Sequence, residues 1–238
     1  MCERTPFANF DAAVRRRKAQ KIMAVLGRRV DLTGCRVLDV GAGAGVIARE
    51  LARAVGPTGR VTAVDRVAVD VGDQAVRFVK IDGVGLPFGR GEFDIVVSNH
   101  VIEHVGDRDE QLMHLAEIKR ILRPGGLLYL AAPNRWAFVE PHYRLPLLSW
   151  LPRGAASAYV RWSRRGAWYD CNPMSPGYMG RLISRAGFSV ENVTSEVLRH
   201  FVELEVSNPA LRPLLKAMSY WDVARVPFIP TVAFVARA

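Results

Sequence analysis

Cysteine is scarce in this chain: there are three, Cys2, Cys35 and Cys171, and no Cys-x-x-Cys pair. So odd and dispersed a set builds neither a disulfide framework nor a zinc cage, and the thiols read as structural. No apolar run approaches the roughly 18 residues of a membrane-spanning helix. The longest, Leu127–Ala132 and Pro230–Ala236, have the length of buried strands. After the basic Arg15–Lys18 only Ile22–Leu26 precedes Arg28-Arg29, too short for a signal peptide, so a cytoplasmic location is expected. Internal repeats and low-complexity tracts are missing too. Acidic residues are outnumbered, 23 Asp plus Glu against 33 Lys plus Arg, for a net charge of +10. That balance suits an anionic partner (nucleic acid, a membrane surface, an acidic substrate) but equally an arginine-rich soluble enzyme. The basic residues are scattered, and alone they decide nothing.

What is present is a chain of 238 residues, 50% apolar and 9% aromatic. This excludes disorder and suits one α/β domain carrying a modest cap. Residues 9–27 read as an amphipathic helix opened by Asn9 or Asp11 and closed by Gly27, with Val14, Ile22, Val25 and Leu26 inward and Arg15–Lys18 and Lys21 largely outward. Strands and helices then alternate. Arg36–Val40, Arg60–Asp65, Val76–Asp82 and Phe93–Ser98 are short buried strands, and Val46–Val55 is a helix. Asp107 caps a second helix, with Glu110 placed to complete a capping box. Pro124-Gly125-Gly126 ends it, and Leu127–Ala132 is a fifth strand. Such alternation makes a parallel sheet covered on both faces. Residues 134–173, rich in Pro, Trp, Tyr and Arg, break the rhythm. Ser175-Pro176 opens a helix running to Gly187, Phe188–Val197 is strand-like, 200–222 is helical with breaks at Pro209 and Pro213, and Phe228–Arg237 closes the chain as a strand.

The chemistry begins at Val37–Gly45, where three glycines stand at a strand-to-helix turn. Glycine suits that turn because the backbone takes unusual angles and a ligand must approach the main chain closely. Asp65 ends the next strand, 20 residues beyond Gly45, where a carboxylate can accept both hydroxyls of a ribose. Together these indicate an adenosine-type ligand on a Rossmann-like sheet. The nicotinamide spacing Gly-x-Gly-x-x-Gly is not met in register, and no Gly-Lys-Ser/Thr follows to make a P-loop.

Asp39–Gly45 instead resembles motif I of the class I S-adenosylmethionine-dependent methyltransferases. Leu86-Pro87-Phe88, Phe93–Asn99, Glu103-His104, Ile118–Gly126 and Pro133-Asn134 follow in order, and together they resemble the small-molecule branch called methyltransferase type 11. The likeness is close over about residues 35–135. It implies a seven-stranded, mostly parallel sheet of order 3-2-1-4-5-7-6 with the last strand antiparallel. It also implies an N-terminal helical segment over 1–30 and a catalytic domain over 31–238, with a cap insertion at about 134–173 and a helical insertion at about 200–226. By the same resemblance Gly41, Gly43 and Gly45 lie against the methionine and ribose of S-adenosylmethionine, with Asp39 at the base of the loop. Asp65 takes the ribose hydroxyls, Asp82 and Gly83 meet the adenine, and Asn99 and His100 edge the methyl-transfer site. Only 16 residues separate Asp65 from Asp82, so the helix between them is expected to be short or absent, and Asp70 and Asp73 in that stretch compete for the roles assigned to Asp65 and Asp82.

His100-Val101-Ile102-Glu103-His104 also spells His-x-x-Glu-His, an inverted zinc-protease signature. It follows directly from a buried strand instead of lying within a long helix, so no metal is expected, and His104 reads as a loop anchor bonded to backbone. The cap sequence from Pro141 to Tyr169 holds five arginines, no acidic residue, and Trp150, Trp162 and Trp168. Most of these aromatics are expected in a small core of the cap itself, with arginine at the rim. Arg beside aromatics also suits stacking on a planar acceptor, or peripheral contact with an anionic bilayer through Leu147, Leu148, Trp150 and Leu151. Glu140, His142 and Tyr143 are expected to overhang the sulfonium, with His142 the preferred general base. The expected activity is methyl transfer to a hydroxyl, amine or carbon of a small-molecule or lipid-linked acceptor. An RNA or DNA methyltransferase and a non-catalytic cofactor-binding protein are the alternatives. The first of these is disfavoured because Ser98-Asn99-His100-Val101 lacks the Asn/Asp-Pro-Pro-Tyr/Phe signature resembling base-modifying enzymes.

Overall fold

A computed structural model describes residues 12–67, 74–206, 208, 211–219 and 229–238. Seven strands, β1 (Arg36–Val40), β2 (Arg60–Asp65), β3 (Val76–Lys80), β4 (Phe93–Asn99), β5 (Leu122–Pro133), β6 (Ser189–Asn192) and β7 (Thr231–Arg237), form one sheet of order β3-β2-β1-β4-β5-β7-β6. Strands β1 to β5 pair in parallel, and β7 runs antiparallel to both β5 and β6. The expected sheet order is therefore the observed one.

Period-two alternation explains how the sheet is covered. Val37, Val61, Ala63, Ile95, Val97, Tyr129 and Val235 point to one face. There they meet Ile22, Val25 and Leu26 of α1 (Ala12–Gly27) and Ile47, Leu51 and Val55 of α2 (Val46–Val55). Leu38, Val40, Val96, Leu128, Leu130 and Phe234 point to the other. They pack on Leu115, Ile118 and Ile121 of α3 (Arg108–Ile121) and Met179, Leu182 and Ile183 of α5 (Pro176–Arg185). Strands buried on both sides must be apolar at nearly every position, which is how they read.

Asp107 caps α3 as expected, its side chain accepting from the Asp109 and Glu110 amides while Glu110 returns a bond to the Asp107 amide. Several boundaries differ from expectation. Strand β5 begins at Leu122 and runs through Pro124-Gly125-Gly126, where the register with β4 jumps from Phe93↔Leu122 to Ile95↔Leu127. The Pro-Gly-Gly run is thus a bulge inside a strand. The strand-like reading of Phe188–Val197 shortens to β6, because the Asn192 carboxamide accepts from the Thr194 amide and starts α6 (Thr194–Glu205). Pro213 does not interrupt α7 (Leu211–Met218): it sits in the first turn, where an amide has no partner to lose. Asn9, Asp11, Cys2, Asp70, Asp73, Pro209 and Phe228 lie outside the described residues. Among the described residues no helix is long and apolar enough to cross a membrane.

The 134–173 segment has a core of its own. Tyr143, Leu145, Leu148, Ala156, Val160, Tyr169 and Cys171 cluster around α4 (Arg153–Trp162). Here the expectation needs correcting, since the tyrosines are inside while Trp150, Trp162 and Trp168 are exposed. Asn134 turns the chain out of β5 into this segment, its side chain bonding the Ile229 carbonyl and the Trp136 amide.

Candidate active site

Every parallel strand points its C-terminal end to one edge of the sheet, and the site residues gather there. The glycine turn after β1 is built as expected. Gly41, Gly43 and Gly45 have φ of +69°, +55° and +68°, angles a side chain strongly disfavours. A Cβ on Gly41 would lie 2.4 Å from Val101 Cγ2, so the turn abuts the loop that follows β4. The Gly43 amide donates to Asp65 Oδ2 at 2.7 Å, while the Val67 amide donates to Oδ1. Asp65 thus joins the end of β2 to the glycine turn. The Ile81 amide donates to the Asp65 carbonyl, which sets Asp82 and Gly83, both exposed, beside it.

Asp39 is buried beneath the turn, with Oδ2 lacking a hydrogen-bond partner. Burial pushes its carboxyl up to about 7, opposed by the Arg15 guanidinium and helped by the Asp65 charge. Arg15 itself reaches the turn: its Nη1 is 3.2 Å from where a Gly43 Cβ would be. This revises the outward reading of the basic run on α1. Arg16 stays exposed, but Lys21 is packed against Glu205 and Phe201. Lys18 is held below its ordinary value by burial and by the Arg15 and Lys21 charges, with Glu103 and Glu205 opposing.

The second half of the site is a cluster of side chains. His100 follows β4 with φ +59°, a left-handed backbone uncommon outside glycine, and its amide is held by the Ala131 carbonyl. Its Nδ1 lies 3.3 Å from Glu103 Oε1, and its Nε2 lies 3.5 Å from Thr231 Oγ1. His142 comes from the cap, with Nε2 3.5 Å from the same Glu103 oxygen and Nδ1 2.9 Å from Glu140 Oε1. Glu140 is fully buried and also accepts from the His142 and Tyr143 amides, so the loop that carries His142 is wound around it. With a carboxylate at Nδ1, the neutral imidazole keeps its proton there and presents a lone pair at Nε2. Burial is the largest influence on His142 and lowers its pKa, but the Glu140 bond and the Glu103, Glu140 and Asp170 charges leave it raised. His100 is driven down to about 4, chiefly by burial.

His104 is not backbone-bonded through its ring as expected. Its Nδ1 faces Asp170 at 3.8 Å and Cys171 Sγ at 4.0 Å, and Sγ is 3.8 Å from His142 Nδ1. Cys171 therefore belongs to the site's edge as well as to the cap core. Asn99 ends β4, half-buried, next to His100. Sequence reasoning brought forward His100 and His142. It missed Glu140 as the partner of His142, Glu103 as the group between the two imidazoles, and Lys18 and Arg15 entering from α1. Glu140 carried a local signal, standing two residues before His142 in an otherwise acid-free stretch, and Glu103 stood three residues after His100 in the His-x-x-Glu-His run.

Known proteins share part of this sequence and its fold. Residues 38–130 match a family described as a methyltransferase domain. Over those residues the chain is similar to the class I S-adenosylmethionine-dependent methyltransferases of the type 11 branch. It is similar to a ubiquinone biosynthesis O-methyltransferase of Rhizobium leguminosarum bv. trifolii, 34% identical over 136 residues that cover 52% of this chain and 51% of that one. A demethylmenaquinone methyltransferase of Staphylococcus aureus is 34% identical over 117 residues, 46% of each chain. The chain thus spans about half the length of these curated relatives. A methyltransferase structure from Mesorhizobium loti, 17% identical, superposes with a TM-score of 0.61 over 90% of this chain and 96% of that one, which establishes the shared fold. The family match ends at residue 130, so Glu140, His142 and Cys171 all lie beyond it.

Proposed function

We propose that the chain transfers a methyl group from S-adenosylmethionine to a hydroxyl of a small-molecule acceptor. One observation carries the reading: the glycine turn and the His100–Glu103–His142 cluster are contiguous, meeting where Gly41 abuts Val101. The residues fit the cofactor. Gly41, Gly43 and Gly45 hold the turn at positive φ, where side chains on Gly41 or Gly43 would run into Val101 or Arg15, and Asp39 keeps a buried oxygen without a partner for a donor above it. Asp65 would take the ribose hydroxyls, Asp82 and Gly83 would border the adenine, and Asn99 would edge the methyl site. Arg15 offers a cation to the cofactor's carboxylate.

The bound cofactor supplies a methyl group already activated on a sulfonium sulfur. The chain's own task is to align the acceptor, exclude water and receive a proton. His142 Nε2 is the acceptor of that proton, because Glu140 fixes the tautomer and stabilises the imidazolium formed. His100, held neutral by burial, edges the same space and can hydrogen-bond the acceptor. A carboxylate-held imidazole serves an attacking atom that must shed a proton, which favours a hydroxyl over a neutral amine or activated carbon. The relatives named for ubiquinone and demethylmenaquinone support a small, largely apolar acceptor and give no support to nucleic acid. A lipid-linked acceptor fits a further observation. Trp136, Phe138, Leu147 and Trp150 are exposed on one loop of the cap, Leu147 at φ +56°, with the Arg135 guanidinium over the Trp136 ring. Such a tip suits the surface of an anionic bilayer, and failure to float with anionic liposomes would remove that part of the reading.

Calorimetric titration tests the central claim. S-Adenosylmethionine should bind and NAD should not, and Asp65→Ala should weaken the binding about 10- to 100-fold, the worth of losing hydrogen bonds to a charged group. No binding of S-adenosylmethionine or of its demethylated product would sink the reading.

A further inference from the structure

We propose that His100 Nδ1, Glu103 and His142 Nε2 form a binding site for a divalent first-row transition-metal ion, at the acceptor side of the methyl-transfer site. The proposal rests on reading this cluster as the acceptor site, and it refines the part assigned to His142.

The starting observation is Glu103. Its side chain is wholly buried, yet neither carboxylate oxygen has a hydrogen-bond partner. An ionised carboxylate left so is costly unless something cationic or hydrogen-bonding completes it. The two groups nearest to Oε1 are the imidazole nitrogens of His100 at 3.3 Å and of His142 at 3.5 Å. These three ligand atoms lie within 4.8 Å of one another, a spacing at which one ion can bind all three.

Both imidazoles are held as ligands need to be. The nitrogen turned away from the cluster is occupied, His142 Nδ1 by the Glu140 carboxylate and His100 Nε2 by the Thr231 hydroxyl. A ligating histidine characteristically gives its remote N–H to such a partner, which fixes the ring and raises the basicity of the nitrogen facing the metal. Two imidazoles and one carboxylate make a donor set for zinc or ferrous iron, with positions left for an exogenous oxygen. An acceptor hydroxyl bound there would release its proton to solvent more readily. In that state His142 acts as a ligand, and its role as proton acceptor belongs to the ion-free protein.

This is not the zinc signature that His100 and His104 spell in sequence. Those two rings diverge, because His104 sits on a one-turn 3-10 helix (Ile102–His104) and faces Asp170 and Cys171. A competing set, His104, His142 and Cys171, also clusters. It would use His142 Nδ1, the nitrogen already committed to Glu140 at 2.9 Å, so the first set is preferred.

The test is zinc titration of the full chain by calorimetry, with bound metal counted after gel filtration and with the visible and near-ultraviolet spectrum of the cobalt-loaded protein. One zinc per chain is expected, loosened at least tenfold by Glu103→Gln and by His100→Ala, and about 10- to 100-fold by Glu140→Gln. Cys171→Ser and His104→Ala should leave zinc affinity unchanged, and cobalt should show no thiolate charge-transfer band. Absence of zinc binding by the folded wild type overturns the site, as does binding lost in Cys171→Ser or a thiolate band. S-Adenosylmethionine titrated in parallel separates the two readings. Cofactor bound without zinc rejects the ion alone, and zinc bound without cofactor rejects the methyl-transfer reading while the ion site stands.

Discussion

The two halves of the proposed site are made of different material. The cofactor half is main chain: three glycines at positive φ, one amide given to Asp65, and a helix start at Gly45. The acceptor half is side chain: His100 and Glu103 after β4, Glu140 and His142 from the cap, and Thr231 from β7. The first spans seven residues of sequence, Asp39 to Gly45, and leans on Asp65. The second draws on groups more than a hundred residues apart, so it exists only when the cap is folded onto the sheet. A site built from backbone tolerates little change in its own few residues but is indifferent to the cap. A site built from side chains depends on everything that carries them.

Crossed substitutions break the halves apart. Leu148 is fully buried in the cap core, and Leu148→Ala should cost about 3 kcal/mol by loss of burial and by the cavity left behind. Methyl transfer should fall with it, because Tyr143 and His142 ride on that core, while the affinity for S-adenosylmethionine in calorimetry stays within about twofold. Gly41→Ala should do the reverse. Its Cβ would strike Val101 and its backbone would be strained at φ +69°, so cofactor affinity should drop about 100-fold while the cap stays folded. Equal loss of cofactor affinity in both variants would show that the halves are one cooperative unit.

The same contrast explains what could be read from the residues alone. The central strands, the glycine turn and the α3 cap were legible because each is a local pattern: strands apolar at most positions, glycine where φ turns positive, Asp107 three residues before Glu110; the sheet order came from the family resemblance that the motifs carry. Three things were not. The inward turn of Lys18 and Arg15 depends on where α1 packs against the sheet face and α2, which helical periodicity does not reveal. The Pro-Gly-Gly bulge reads as a stop signal until β4 is there to pair beside it. The convergence of Glu103, Glu140 and Cys171 depends on a cap whose fold follows from its own core, Tyr143, Leu148, Val160 and Tyr169, and from no motif. The exposed tryptophans make the same point from the other side. Trp162 and Trp168 looked like core by composition, and the cap instead buries its tyrosines, whose hydroxyls find partners in Asp170 and Ser149.

Asp39 carries the smallest of these effects, and its sign distinguishes a site residue from a structural one. A structural carboxylate is usually paired, ionises below its unfolded value and stabilises the fold above it. Asp39 does the opposite: burial raises its folded pKa to about 7, above the ordinary 3.8. Between those values the folded chain binds more protons than the unfolded one, so stability falls as pH rises through that window. The loss attributable to this one group between pH 5 and 7 is about 2 kcal/mol by linkage. Asp39→Asn removes the titration, so its denaturant midpoint relative to wild type should improve steadily from pH 5 to pH 7 and then level off above pH 8. The same variant should bind S-adenosylmethionine more weakly at pH 8, since the ionised carboxylate that burdens the free fold is the group offered to the cofactor. A pH-independent difference in stability would mean that Asp39 is already paired in the free protein. The cofactor half would then owe its shape to that pairing, and its buried oxygen would not be held open for a ligand.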